Sequence, residues 1–216
     1  MATQKRLIVL VLASLVFLPV KRISGQTTPQ FPTFGRDTVL VWKAVNNSTE
    51  LGTLVVRIAR FVPDRFFEWE DSMGQGTVFL AGKALATSKV FLMRRLFQSG
   101  VDTQSKDSTT LWLSERSYCD LKSKQTIKLA IDGLEERVNL DGNDQITLEV
   151  NQMQQTLPVI KVSNARGMEL WFLDSADNPL QVKLLSRNYV ETLTSITTDR
   201  SNTLRWIKGK KLTDPH

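Results

Sequence analysis

Met168–Arg187 reads MELWFLDSADNPLQVKLLSR. Met168, Leu170 and Phe172 recur at every second position, and so do Leu180, Val182 and Leu184. That is the period of a strand with one face buried. Between the two sets stands Asp174-Ser175-Ala176-Asp177-Asn178-Pro179, a run of turn formers closed by a residue that cannot donate to a sheet ladder. The stretch predicts a β-hairpin. Its apolar face carries the six residues named above, and its other face carries Glu169, Trp171 and Lys183, a mixed set suited to solvent or a partner.

Upstream, alternation is nearly continuous from Thr126. Ile127, Leu129 and Ile131 lead to a turn at Gly133, then come Val138 and Leu140, a turn at Asp141-Gly142-Asn143-Asp144, and Ile146, Leu148 and Val150. A strand over 156–163 and a turn over 164–167 complete a meander that runs into the hairpin. The acidic turn lacks the ligand spacing and distal Glu of a calcium loop, so it is read as a hairpin turn. Nearer the N-terminus, Thr38–Val45 and Thr53–Phe61 predict a first hairpin, and Arg65–Asp71 and Thr77–Ala81 a second, with Phe67 and Trp69 on one face of RFFEWED.

Gly82–Ser99, GKALATSKVFLMRRLFQS, is the one long stretch with helical spacing. Leu85, Leu92 and Leu96 form a stripe that Ala84 and Phe91 widen, and Gly100 is placed to cap it. Ser114–Leu121 predicts a single helical turn with Ser114 as N-cap. Past the hairpin, Asn188–Thr198 and Asn202–Lys208 predict two more strands, the second carrying Trp206. The expected fold class is α+β, mainly antiparallel β. A curved, half-barrel-like meander sheet packs on one long helix, with the apolar face of Met168–Arg187 against Gly82–Ser99.

Lys5-Arg6, the apolar run Leu7–Val20 and the polar piece Lys21–Gly25 have the layout of a secretory signal peptide. The run is shorter than the roughly 20 residues of a membrane-spanning helix, and nothing beyond it predicts a transmembrane span. Residues 1–25 are expected to be removed, with an uncleaved anchor as the alternative that Lys21-Arg22 keeps open. Residues 26–37 then form an extended lead-in, 38–208 one β-rich globular domain and 209–216 a disordered tail. Export to the periplasm or outside the cell follows.

Removing residues 1–25 takes away four basic residues and no acid. The formal charge of +6 falls to about +2. Lys and Arg are otherwise interspersed with Asp and Glu rather than gathered into a stripe, which argues against nucleic acid. The one cysteine, Cys119, cannot pair within the chain. It is read as a buried structural thiol, with a reactive thiol as the alternative.

The only histidine is His216, the last residue, which removes a Ser-His-Asp triad, a Cys-His pair and a histidine zinc site. No cofactor or metal is expected. Glu68 and Glu70 lie two apart on a predicted strand, so like charges on one face could raise one pKa for acid–base work, with Asp71 beside them. A solvated strand face is the plainer reading, and the balance is against an enzyme. Five tryptophans, Trp42, Trp69, Trp112, Trp171 and Trp206, fall in predicted strands. Most suit a core. The alternative is a sheet–helix cleft for an apolar ligand, lined by Trp69, Phe91, Trp112 and Trp171.

The order of parts resembles that of bacterial envelope proteins of unknown function. These have a signal peptide, β-hairpins, one long helix, and an antiparallel meander ending in a W-x-L-D…N-P-L hairpin, here Trp171, Leu173, Asp174, Asn178, Pro179 and Leu180. The architecture over 39–198 is also similar to the half-barrel of periplasmic lipoprotein carriers, which implies a curved sheet around an apolar cavity. Neither resemblance transfers a functional residue. The leading expectation is an exported, non-catalytic domain that binds or scaffolds another envelope component. A carrier of apolar ligands or lipids and a carboxylate-dependent hydrolase stand as alternatives, and the oligomeric state is open.

Overall fold

The computed structural model describes residues 31–198. The signal segment, the C-terminal tail and the strand expected at Asn202–Lys208 lie outside the described residues, as do residues 26–30 of the lead-in. Among the described residues, no helix is long and apolar enough to cross a membrane.

The molecule is mainly antiparallel sheet. Its strands are β1 (Val39–Asn46), β2 (Thr49–Arg60), β3 (Arg65–Asp71), β4 (Gly74–Leu80), β5 (Val90–Phe91), β6 (Asp102–Ser105), β7 (Thr126–Ile131), β8 (Leu134–Val150), β9 (Met153–Asn164), β10 (Met168–Leu173), β11 (Gln181–Ser186) and β12 (Tyr189–Thr197). The spatial order is β5-β7-β8-β9-β10-β11-β12-β1-β2-β3-β4-β6, and β12 also pairs with β8. That last pairing is parallel, Ser195 opposite Glu149 and Ile196 opposite Val150. It closes β8 to β12 into a ring of five strands, while β1 to β4 continue outward from the other edge of β12. The expected hairpins at β1–β2, β3–β4 and β10–β11 are all present.

One long helix over Gly82–Ser99 is not what forms. Only Gly82–Thr87 is helical (α1), and the sequence then enters β5, where Val90 and Phe91 pair in parallel with Ala130 and Ile131. The stop is local. Ser88 leaves the helical region at ψ 142, and its hydroxyl bonds the carbonyls of Val90 and Asp107 at 3.1 and 2.7 Å, an alternative to helix that serine side chains readily offer. The apolar stripe therefore divides. Leu85, Leu92 and Leu96 join the larger core, while Phe91 joins a second one. The longer helix is α2 (Glu115–Lys124). It has ten residues where the sequence suggested one turn, and Ser114 caps it by accepting from Ser117 N at 3.2 Å.

The two cores lie on opposite faces of the central strands. Met168, Leu170, Phe172 and Leu184 pack with Phe91, Leu113, Tyr118 and Leu121 in the second core, whereas Leu173, Leu180 and Val182 belong to the larger one. The expected single apolar face of six residues is thus split. The cause is a register shift in the hairpin: Trp171 pairs with Lys183, but Phe172 pairs with Gln181. One extra residue in a strand sends every residue beyond it to the other face. From 82–99, Phe91 and Met93 meet the second core, Phe91 edge-on to Phe172 at 5.8 Å.

The turn expected at Asp141–Asp144 is likewise absent, because β8 runs straight through it. The extra residue is absorbed as a bulge between Leu140 and Gly142, where Gly142 sits at φ +146, a conformation that suits glycine.

Candidate functional site

The loop 174–180 between β10 and β11 is where the layers meet. Asp174 accepts a hydrogen bond from the Tyr118 hydroxyl and two from Lys122 Nζ, at 2.9 and 3.2 Å. The Asp177 carbonyl accepts from Arg65 Nη2 at 3.0 Å, and Asn178 Oδ1 accepts from Trp112 Nε1 at 2.8 Å. The backbone adds Leu113 N to the Pro179 carbonyl and Gln181 N to the Leu111 carbonyl, while Trp42 Nε1 reaches the Gln181 carbonyl. Leu111 is held at φ +58 although fully buried, a conformation that costs a bulky residue free energy and persists only where the surroundings impose it. It sets Trp112 against the loop.

Arg65 is the inward-facing first residue of β3, on the same face as Phe67 and Trp69 by the strand period. It is 6% exposed. Its guanidinium carbon lies 4.6 Å from the ring centres of both Phe61 and Trp112. Among the described residues Nε and Nη1 have no hydrogen-bond partner and no carboxylate pairs with the guanidinium. Asp64, next in the chain, is committed elsewhere, accepting from Gly82 N at 2.8 Å and lying 4.0 Å from Arg60. Desolvation pulls the Arg65 guanidinium down to about 9. Behind it, Phe67 meets Trp112 at 5.6 Å and Phe97 at 6.1 Å, and Trp69 meets Phe97 at 5.2 Å.

A second charged feature lies on the face shared by Glu169, Trp171 and Lys183. Trp171 stands directly between Lys161 of β9 and Lys183 of β11. The two ammonium groups lie 5.2 and 4.5 Å from its ring centre, within the range of cation–π attraction. Its indole N–H donates to Asp144 at 3.0 Å, and Lys161 pairs with Glu169 at 2.9 Å. The backbone N–H of Gln145 and the indole N–H hold the Asp144 carboxyl below the usual range, and Glu169 holds the Lys161 ammonium above its own. Thr192 pairs with both Lys183 and Lys43, so exposed Lys43 continues the same row.

The four residues expected to line a cleft are all buried: Trp69, Phe91, Trp112 and Trp171 are 4, 0, 0 and 7% exposed. Trp69 and Trp112 come together around Phe67 and Phe97. Trp171 belongs to the same larger core as Trp69 and Trp112, under its lysines, and only Phe91 lies in the other core.

The carboxylates of β3 are engaged as well. Glu68 takes both Nε and Nη2 of Arg57, at 3.2 and 2.5 Å, and Arg57 also reaches Asp37 at 3.2 Å. Asp71 caps its own turn, accepting from Met73 N and Gly74 N at 2.8 and 3.0 Å. Among the described residues no group of three or more His, Cys, Asp and Glu side chains could hold a metal ion. Cys119, expected to be buried, lies on the outer face of α2 and is exposed, because α2 turns Tyr118 and Leu121 inward instead.

Arg65, Tyr118 and Lys122 carry no motif, and Asp174 falls in the W-x-L-D…N-P-L hairpin, whose resemblance transfers no role. The one signal was a charged residue in phase with Phe67 and Trp69. No protein-family model, no curated protein and no solved structure matches the chain.

Proposed function

We propose that this chain is an exported, non-catalytic domain that binds another component of the cell envelope. Export rests on the layout of residues 1–25, a basic start followed by a short apolar run. The observation that carries binding is the row Lys161–Trp171–Lys183–Thr192–Lys43, which crosses β9 to β12 of the closed ring and ends on β1. It sets three ammonium groups and a tryptophan on consecutive strands, about 5 Å apart in the pairing direction. Asp144 and Glu169 orient the row but leave exposed Lys43 at its end. A partner presenting anionic groups suits it, because charge complementarity on a rigid sheet sets encounter rate and register.

The test is affinity purification of the mature chain from its native host, compared with a Lys43→Glu/Lys183→Glu double variant. Lys128→Glu, at an exposed position of β7, is the control. A partner recovered with the wild type and the control, and reduced at least about tenfold with the double variant, is the expected result. Equal recovery with the double variant overturns the assignment of this face.

A further inference from the structure

We propose that Arg65 is the receptor for the carboxylate of a small organic anion, which enters beside Phe61 at the turn between β2 and β3. This site lies apart from the lysine row and does not depend on it. A guanidinium offers five N–H donors. Here two nitrogens, Nε and Nη1, are buried with no partner among the described residues, while Nη2 donates to the Asp177 carbonyl at 3.0 Å.

Buried donors are nearly always paired, and buried charges are nearly always compensated. Among the described residues Arg65 has one nitrogen paired, Nη2, two aromatic faces and no carboxylate. Its depressed pKa of about 9, caused by desolvation, is the same imbalance expressed as a proton affinity.

The surroundings select the chemistry that would pair with these two nitrogens. The planar fork of arginine matches a carboxylate, which can accept two N–H bonds at once. Phe61 and Trp112, each centred 4.6 Å from the guanidinium carbon, suit an organic remainder better than a fully hydrated ion. Trp112 is fully buried and tied to Asn178, so that wall is fixed. Phe61 is half-buried and next to Val62, which is 74% exposed. Phe61, which also meets the buried Phe34 ring at 5.5 Å, is therefore the more exposed of the two walls and the side from which the anion would enter.

Acetate is the probe, titrated into the whole mature chain against chloride at matched ionic strength. Two readouts are followed, the melting temperature and the Nε–H resonance of Arg65 in a proton–nitrogen correlation spectrum. Binding only the folded state raises the melting temperature with ligand concentration. At tenfold excess over Kd the rise is about 4 °C for a chain of this size, and the Nε–H resonance moves along a saturable curve with the same midpoint. Arg65→Met, which keeps the apolar packing, loses both responses. The proposal is overturned if acetate and chloride act alike on the wild type, or if Arg65→Met responds to acetate as the wild type does. Either outcome leaves ordered water as the partner of Nε and Nη1.

Discussion

Replacing Arg65 by methionine should leave the protein at least as stable as the wild type, an unusual outcome for a residue 6% exposed. The drop of the guanidinium to about 9, converted at the usual rate, amounts to about 5 kcal/mol against the charged form. The two ring contacts return about 1–2 kcal/mol each. The bond to the Asp177 carbonyl contributes about 1 kcal/mol. Methionine gives up these gains together with the penalty, and its flexible thioether fills the space between Phe61 and Trp112. The expected net change is a gain of about 1 kcal/mol. That corresponds to a melting temperature higher by about 3 °C for a chain of this length. Urea unfolding followed by circular dichroism gives the free energy, with an unchanged slope confirming that the same surface is exposed. A loss of more than about 1 kcal/mol would refute the reasoning, since it means that Arg65 is compensated in the folded protein.

Asp174→Ala removes the acceptor of both Tyr118 and Lys122 and should cost about 2–3 kcal/mol in the same assay; a cost below about 0.5 kcal/mol means the loop is not held there. The chain has two tyrosines. Burial together with Asp174 raises the Tyr118 hydroxyl above the range of a free phenol, and burial beside Glu191 pushes Tyr189 up to about 12. A free tyrosine ionises near 10, so from about pH 10 to 12 the native state binds more protons than the unfolded one and stability falls as pH rises. Arg65 opposes this above about pH 9, and the Arg65→Met background removes the opposition. Ultraviolet phenolate absorbance should stay low in native protein at pH 11 and rise fully on unfolding; full ionisation in the native state contradicts both burials. Cys119 should react stoichiometrically with a maleimide in native buffer, as an exposed thiol does; protection until denaturant is added shows that α2 packs differently.

The strands were legible because alternation and turn residues are local signals. β1 to β4 and β10–β11 follow them closely. What misled was register and coverage, which are not local. Met168–Leu173 is buried on both faces, so its alternation reflects a choice between two cores rather than between core and water. Leu180 and Val182 change sides because of a bulge beside Trp171 that no residue type announces. Helical spacing at Leu85, Leu92 and Leu96 was real, but Ser88 and the pairing of Val90 and Phe91 with β7 overrode it. The polar anchors were harder still. Arg65, Tyr118 and Asp174 sit 112 and 56 residues from the partners that give them meaning, and only the closed topology brings them together.

The most direct test of partner binding through the lysine row is a photo-crosslinking amino acid placed at Lys183 in the native host, with a second placed at Lys128 for comparison. The account predicts a defined crosslinked product with one envelope component from position 183, formed by exported protein and absent from position 128. The same product from both positions, or chain retained inside the cell with no product from position 183, would contradict it.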